Sequence, residues 1–325
     1  MRAATGVALP VALVPRPVPV VLIGGPARRA LAGETRWRVL AVFRRSFYCR
    51  DAGGSVVCLG PRGLGAGPLN ALGVLPSALD WEASGLLPGA GVEANGATLR
   101  VDGRFVFELG GAALWHPAPL PGARHSADFA RGVAVLAAAA GERAPAEGLG
   151  RLITPLATAV SARRPRPADP PLLSLAWRGI VPLLDWLEAG LAAVSGAGAP
   201  SPPPAEAASL VGLGPGLTPA GDDFVAGILL ALHAVDRADL ARALAGWALP
   251  VARERTTVIS RAHLACAAAG EGAAALHDTL AAVSSADRPR LATCLDAVDA
   301  IGHTSGWDAL AGIAAVTGAC LRRRG

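Results

Sequence analysis

The hydrophobic period of this chain changes once, near residue 120, and that change restricts the folds open to it. Before it, WRVLAVF (37–43), SVVCLG (55–60) and TLRVDGRFVFELGG (98–111) are β-rich and punctuated by glycine. Asp102-Gly103 falls where a two-residue hairpin turn would sit. The stretch GPRGLGAGPLNALG (60–73) reads as a loop whose glycines let it approach another backbone closely. After the change, FARGVAVLAAAAG (129–141), residues 149–163 and SLAWRGIVPLLDWLEAGLAAV (174–194) repeat with helical spacing, and Pro182 should kink or start a helix. RRPRPADPP (163–171) and SGAGAPSPPP (195–204) interrupt the pattern, and everything beyond is helical. Strands first and helices second predict an α+β protein, with a strand-rich region over 1–120 and a helical region over 121–325.

Composition narrows the chemistry. The chain has thirty arginines and no lysine. It therefore lacks the amine for a Schiff base, the phosphate-gripping lysine of a P-loop and the ATP-pairing lysine of a protein kinase. The net charge of +5 is modest, and its arginines are scattered apart from the terminal run at 322–324. With one tyrosine and six phenylalanines there is no aromatic platform for stacking bases, so no nucleic acid is expected. Arginine suits small anionic metabolites, whose carboxylates and phosphates fit its planar fork. Five widely spaced cysteines, odd in number and without a C-x-x-C pair, suggest buried thiols in a reducing cytoplasm. The N-terminal apolar stretch is broken by Pro10, Pro15, Pro17 and Pro19, which argues against a signal peptide, and no later stretch reads as a membrane span.

Residues 210–232, LVGLGPGLTPAGDDFVAGILLAL, carry the strongest chemical signal. Phe224, Val225, Ile228, Leu229 and Leu232 share a helical face, so a helix should begin near Asp222 or Asp223. Gly212, Gly214, Gly216 and Gly221 precede it, and glycines ahead of a helix start let N–H groups converge on an anion. Thr218 adds a hydroxyl. The adjacent acids suit a general base, a Mg²⁺ site or the amino end of a substrate. The ordinary alternative makes one aspartate the helix cap and the other a partner of the helix dipole.

A second segment, GHTSGWDALAGI (302–313), aligns with GLTPAGDDFVAGI (216–228) after one gap. Gly302 matches Gly216, Thr304 matches Thr218, Gly306 matches Gly221, Asp308 matches Asp223, and Ala311-Gly312-Ile313 matches Ala226-Gly227-Ile228. Two such turns would supply carboxylates and helix starts to one pocket from both sides. His303 has no counterpart in the first copy and is the acid–base candidate among the histidines. Between the two copies, VARERTTVISRAHLACAAAG (251–270) reads as one helix, with Arg253, Thr256, Thr257 and Ser260 on a face and Arg255 beside it. That helix would bring positive charge to the acidic pair. The candidate set is thus Asp222, Asp223, His303 and Asp308 as catalytic groups. Gly214, Gly216, Thr218, Gly221, Arg255, Thr256, Thr304 and Ser305 are the candidates for substrate binding. Asp222, Asp223 and Asp308 are the candidate ligands of a Mg²⁺ ion, the one cofactor suggested.

GLGPGLTPAGDDF, RTTVIS and GHTSGWDALAG, in that order over residues 205–320, resemble the AllH-like family, that of the oxamate carbamoyltransferase subunit from allantoin breakdown. In that family's pattern serine often stands where this chain has Ala220. The resemblance implies a transferase subunit in purine nitrogen catabolism, moving a carbamoyl group between phosphate and oxamate within a complex of further subunits. It does not imply a conventional carbamoyltransferase. Those enzymes resemble one another in a Ser-Thr-x-Thr-Arg loop and a His-Pro-x-Gln motif, of which only Arg255-Thr256-Thr257 and His116-Pro117 are present as fragments. Two other classes stay open: a Mg²⁺-dependent hydrolase or phosphotransferase of a small anionic metabolite, and a non-catalytic metabolite-binding subunit.

Overall fold

The computed structural model describes residues 17–76, 78–120, 122, 127–158, 169–193 and 199–322. The proline-broken start up to residue 16, the breaker at 163–168, the opening of the 195–204 stretch and the terminal arginines 323–324 lie outside the described residues. Strands do precede helices, and the chain divides into two compact units, Met1–His116 and Pro117–Gly325.

The first unit is a closed sheet. Its strands are β1 (Val18–Gly24), β2 (Glu34–Val42), β3 (Phe47–Asp51), β4 (Val56–Pro61), β5 (Asn70–Gly73), β6 (Gly91–Asn95), β7 (Thr98–Val101), β8 (Phe105–Glu108) and β9 (Ala113–Trp115), with a short helix α1 (Gly25–Ala30) after β1. The order is β5-β4-β3-β2-β6-β7-β8-β1-β9, and β1 also pairs with β5, which closes the ring and leaves β9 as an addition beside β1. Closure satisfies the edge groups that an open sheet would expose. Alternate residues point inward: Trp37, Val39, Val92, Ala94, Leu99 and Val101 are buried while their neighbours face out. Trp81 fills the interior edge-on to Phe47 and Phe105, with ring centres 4.8 and 5.1 Å away. Asp102 and Gly103 both take positive φ (52° and 62°) between β7 and β8, as the predicted hairpin turn requires.

The 60–73 stretch holds a 3-10 turn (Arg62–Leu64) and β5 as well as a loop. It does approach another backbone closely, but the glycine that permits this lies in β1. A Cβ on Gly24 would lie 2.3 Å from the carbonyl oxygens of Gly67 and Pro68, so β1 can pass there only as glycine.

The second unit contains α2 (Phe129–Arg143), α3 (Ile153–Ala157), α4 (Pro171–Ala192), α5 (Ala220–Ala234), α6 (Ala238–Arg255), α7 (Val258–Ala268), α8 (Ala274–Ser285), α9 (Arg288–Asp299) and α10 (Ser305–Arg322). Helices α5 and α10 are its centre. Phe224, Val225, Ile228, Leu229 and Leu232 are buried, and so is α10 from Gly306 to Ala319. A helix covered all round must be largely apolar, and α10 meets that demand mainly with small residues, with Asp308 and Thr317 as buried polar exceptions. Arg237, 2% exposed, ties α4 to the start of α6 by donating to both Asp239 oxygens (2.8 and 2.7 Å) and to the Gly190 carbonyl (2.8 Å).

Of the two roles expected for Pro182, starting a helix does not occur: it lies inside the single continuous α4. Two further expectations need correction. The helix expected over 149–163 is a 3-10 turn (Gly150–Leu152) followed by α3, and Thr158 is already extended; residues 159–163 lie outside the described residues. At its start the Leu149 N–H, which no helical carbonyl would serve, donates to the Asp308 side chain. The helix expected over 251–270 is two helices. Thr256 is extended (φ −134°, ψ 175°), and Thr257 caps α7 by accepting from the Ser260 N–H at 3.0 Å. A threonine hydroxyl that competes for backbone donors favours such a break.

Candidate active site at the crossing of two helix starts

Gly212, Gly214 and Gly216 all have positive φ (79°, 116° and 93°), so the segment before α5 doubles back on itself. A Cβ on Gly212 would lie 2.3 Å from the Arg255 carbonyl oxygen. The Gly221 N–H donates to the Leu213 carbonyl at 2.9 Å. The Leu213 N–H likewise bonds the Leu210 carbonyl at 3.0 Å, so part of the turn's donor set closes the turn internally. Pro219 occupies the cap position of α5, so neither aspartate is the cap; both stand in the first turn.

The two acids have different tasks. Asp222 is 1% exposed, and its oxygens accept from the Gly212 N–H (2.8 Å), the Ser260 hydroxyl (2.6 Å) and the Thr256 hydroxyl. It latches the glycine turn to the α6–α7 corner. Asp222→Asn would turn an N–H₂ group toward these donors. We expect it to lower stability by about 2 kcal/mol, the usual cost of unsatisfied buried donors, as read from urea denaturation midpoints. Asp308, also 1% exposed, holds the other side in the same way, accepting from the Leu149 N–H (2.5 Å) and the Thr304 hydroxyl (2.8 Å). Gly148 has positive φ (71°), and a Cβ there would lie 2.5 Å from the Asp308 carboxylate. The sequence match pairs Asp308 with Asp223, yet in its bonding Asp308 is the counterpart of Asp222.

Burial raises the Asp308 pKa from 3.8 to about 6, against the opposing pull of the Leu149 and Thr304 hydrogen bonds. A folded-state pKa above the unfolded value means that the native state binds more protons. The stabilisation is full below about pH 4 and disappears as pH rises through about 6. Relative to Asp308→Asn, the wild type should gain on the order of 3 kcal/mol between pH 7 and pH 4, because each tenfold difference in proton affinity between folded and unfolded chain is worth about 1.36 kcal/mol. Paired denaturation curves across that range check this; parallel curves for the two proteins would refute it.

Asp223 is unlike either latch. Its carboxyl is buried, and its Oδ2 has no hydrogen-bond partner. Burial pushes its pKa well above the usual carboxylate range, the Ser305 and Thr218 hydroxyls pull the other way, and the charges of Asp308 and Asp222 raise it further. Thr218 and Ser305, one from each turn, lie 2.9 Å apart, Oγ to Oγ. The two matched turns therefore meet, and Asp223 lies among them.

Reciprocal glycines bring them together. A Cβ on Gly227 would lie 1.8 Å from the Ala309 carbonyl oxygen, and one on Gly312 would lie 2.0 Å from that of Phe224. Each carbonyl lies three residues before the other helix's glycine. The matched sequence spacing is thus also a matched packing. Gly221 and Gly306 repeat the pattern at the helix starts, against the carbonyls of Leu210 (2.0 Å) and Val298 (2.2 Å).

The remaining candidates fall elsewhere. The Arg255 guanidinium is exposed and donates to the Ala208 carbonyl at 2.9 Å, so it does not neutralise the acidic pair. Thr256 serves Asp222 and Thr304 serves Asp308. His303 is exposed and pairs with the equally exposed Glu147 at 2.6 Å, outside the buried juncture. Gly214 shapes the turn, and Gly216 lies on its exposed outer edge. Among the described residues no three His, Cys, Asp or Glu side chains come together as a metal-ligand set, and the carboxylates of Asp222 and Asp308 are engaged by hydroxyl and amide donors. The expected Mg²⁺ ligand set of Asp222, Asp223 and Asp308 is not assembled. Leu149 and Gly148 are partners that sequence reasoning missed, since nothing in the sequence ties a loop at 148–149 to a helix 159 residues on.

Residues 210–317 match the model of a family described as oxamate carbamoyltransferase subunit AllH. That stretch runs from the glycine turn through α5 to most of α10 and takes in the whole acidic juncture except Gly148 and Leu149. No curated protein and no solved structure matches the chain. Among the described residues no helix is long and apolar enough to cross a membrane.

Proposed function

With the AllH-like segment at residues 210–317 as its premise, we propose that this chain is a subunit of an oxamate carbamoyltransferase, working in the cytoplasm with further subunits of the complex. The observation that carries the reading is the coincidence of that matched segment with a buried carboxyl left open between two hydroxyls. In the forward sense the oxamate nitrogen attacks the carbonyl carbon of carbamoyl phosphate. A C–N bond forms, the C–O bond to phosphate breaks, and the proton given up by the nitrogen leaves on the phosphate as HPO₄²⁻.

Such a reaction needs a held amide, a place for that proton and charge stabilisation at the carbonyl. We assign contact with the substrate to Asp223, Thr218 and Ser305. Asp222, Asp308, Thr256, Thr304 and Gly221 position them. Phosphate calls for cationic or N–H partners, and the charges of Asp222 and Asp308 beside Asp223 disfavour it. The phosphate end is therefore assigned outside this juncture.

The test is to purify the chain from its source with the subunits it retains, then to follow oxalurate formation from carbamoyl phosphate and oxamate. The isolated chain is assayed beside the assembly. Turnover that needs this chain supports the reading. An assembly that neither makes oxalurate nor cleaves it with phosphate would sink it. Activity undiminished on omitting this chain would reduce it to a bystander.

A further inference from the structure

The acidic juncture has a chemical preference of its own. The charges of Asp222 and Asp308 act on it, and the one nearby guanidinium considered for it, that of Arg255, is turned away to the Ala208 carbonyl. An anionic group entering here would meet repulsion without a cation to offset it. What is on offer is an open carboxyl oxygen beside two hydroxyls that bond each other. We propose that the Asp223 carboxyl, flanked by Thr218 and Ser305, receives the primary amide end of the ligand, pairing with its N–H₂ and C=O together, while the ligand's anionic end points out of the juncture.

A neutral carboxyl presents one donor and one acceptor side by side, which is the complement of the acceptor and donor of a primary amide. Burial among like charges favours that form, since desolvation and neighbouring acids both disfavour the ion, against the pull of the Ser305 and Thr218 hydroxyls. An unpaired buried oxygen is costly to the fold unless something pairs with it, and a ligand amide would do so. The nearest exposed residues are those just before each hydroxyl, Gly216 and Leu217 on one turn and Gly302 and His303 on the other, while the Asp223 Oδ2 itself is buried. The inference deepens the transferase reading and rests on its premise that this juncture meets substrate.

The experiment is calorimetric titration of the full chain with oxamate and with pyruvate. Pyruvate has the same charge and nearly the same shape, with a methyl in place of the amide nitrogen. Oxamate should bind at least about tenfold tighter, the worth of a hydrogen-bonded pair in a buried site. Asp223→Ala should erase that difference. Asp223→Asn should keep oxamate affinity within about threefold, because a carboxamide offers the same donor and acceptor. Melting curves control for folding, and Ser305→Ala provides a second weakening variant if Asp223→Ala does not fold. Equal affinities for oxamate and pyruvate, an unchanged preference in Asp223→Ala, or no oxamate binding at millimolar concentration would each overturn the proposal. Loss in both Asp223 variants would overturn the neutral pairing in favour of a charged carboxylate. If oxamate binds through Asp223 and the assembly still transfers no carbamoyl group, the transferase reading fails and this inference stands.

Discussion

Gly227→Ala should cost the helical unit at least about 4 kcal/mol, enough to unfold a domain of ordinary stability or leave it barely folded. The added methyl would lie 1.8 Å from the Ala309 carbonyl oxygen, a backbone atom that cannot swing aside as a flexible side chain can. Relief requires α5 and α10 to move apart, and both are buried at the centre of the unit, where packing tolerates little displacement. Gly312→Ala should behave similarly, since its methyl meets the Phe224 carbonyl at 2.0 Å. A control separates this from the intrinsic preference of helices for alanine. Gly246 lies in α6 with nothing within 4 Å of its missing Cβ, so Gly246→Ala should stabilise by about 0.5–1 kcal/mol. Urea denaturation of the three variants beside wild type is the measurement. A Gly227→Ala midpoint near wild type would mean that α5 and α10 are not in contact as described.

This pairing was partly legible in the sequence. The matched spacing of Gly221 and Gly227 with Gly306 and Gly312 is visible there, and the structure turns it into a reciprocal close approach. The Asp102-Gly103 hairpin was legible for the same kind of reason: a local turn depends on local residues. Closure of the sheet was not. It depends on β1 pairing in parallel with β8 and β9 and antiparallel with β5, partners about 50 to 90 residues away joined by short registers. The corner at Thr256 and Thr257 was hidden because Arg-Glu-Arg-Thr-Thr continues a polar helical pattern. The signal that was present is a threonine three residues before Ser260, the spacing of a helix cap.

At the juncture of the two helix starts, the sequence singled out Asp222, Asp223 and Asp308 without showing their different bonding. Asp222 and Asp223 are neighbours, but successive residues on a helix point about 100° apart, so one faces the α6–α7 corner and the other the second turn. Which of them found hydroxyl and amide partners depended on Thr256 and Ser260, 34 and 38 residues away. Arg255 was expected to supply positive charge from a helical face, and the break after it removed that face.

Asp223 should therefore be the residue whose loss separates function from folding. Its Oδ2 makes no hydrogen bond in the protein, and its charged form is disfavoured by burial. Removing it costs the fold little and, at neutral pH, relieves that penalty, as expected where stability is given up for a binding group. The same deletion takes away the donor and acceptor assigned to the substrate amide. Asp223→Ala in the assembled enzyme should lower kcat/KM for oxamate about 10²-fold, equivalent to about 2.7 kcal/mol of lost transition-state binding. Its melting temperature should stay at or above that of wild type. The most direct measurement is that steady-state comparison, with kcat/KM for oxamate and the thermal melt recorded on the same preparations. A loss of about two orders of magnitude at unchanged or raised stability is the result predicted here. A rate near wild type, or a rate that falls only in step with unfolding, would contradict the assignment of this juncture as the place where the substrate is held.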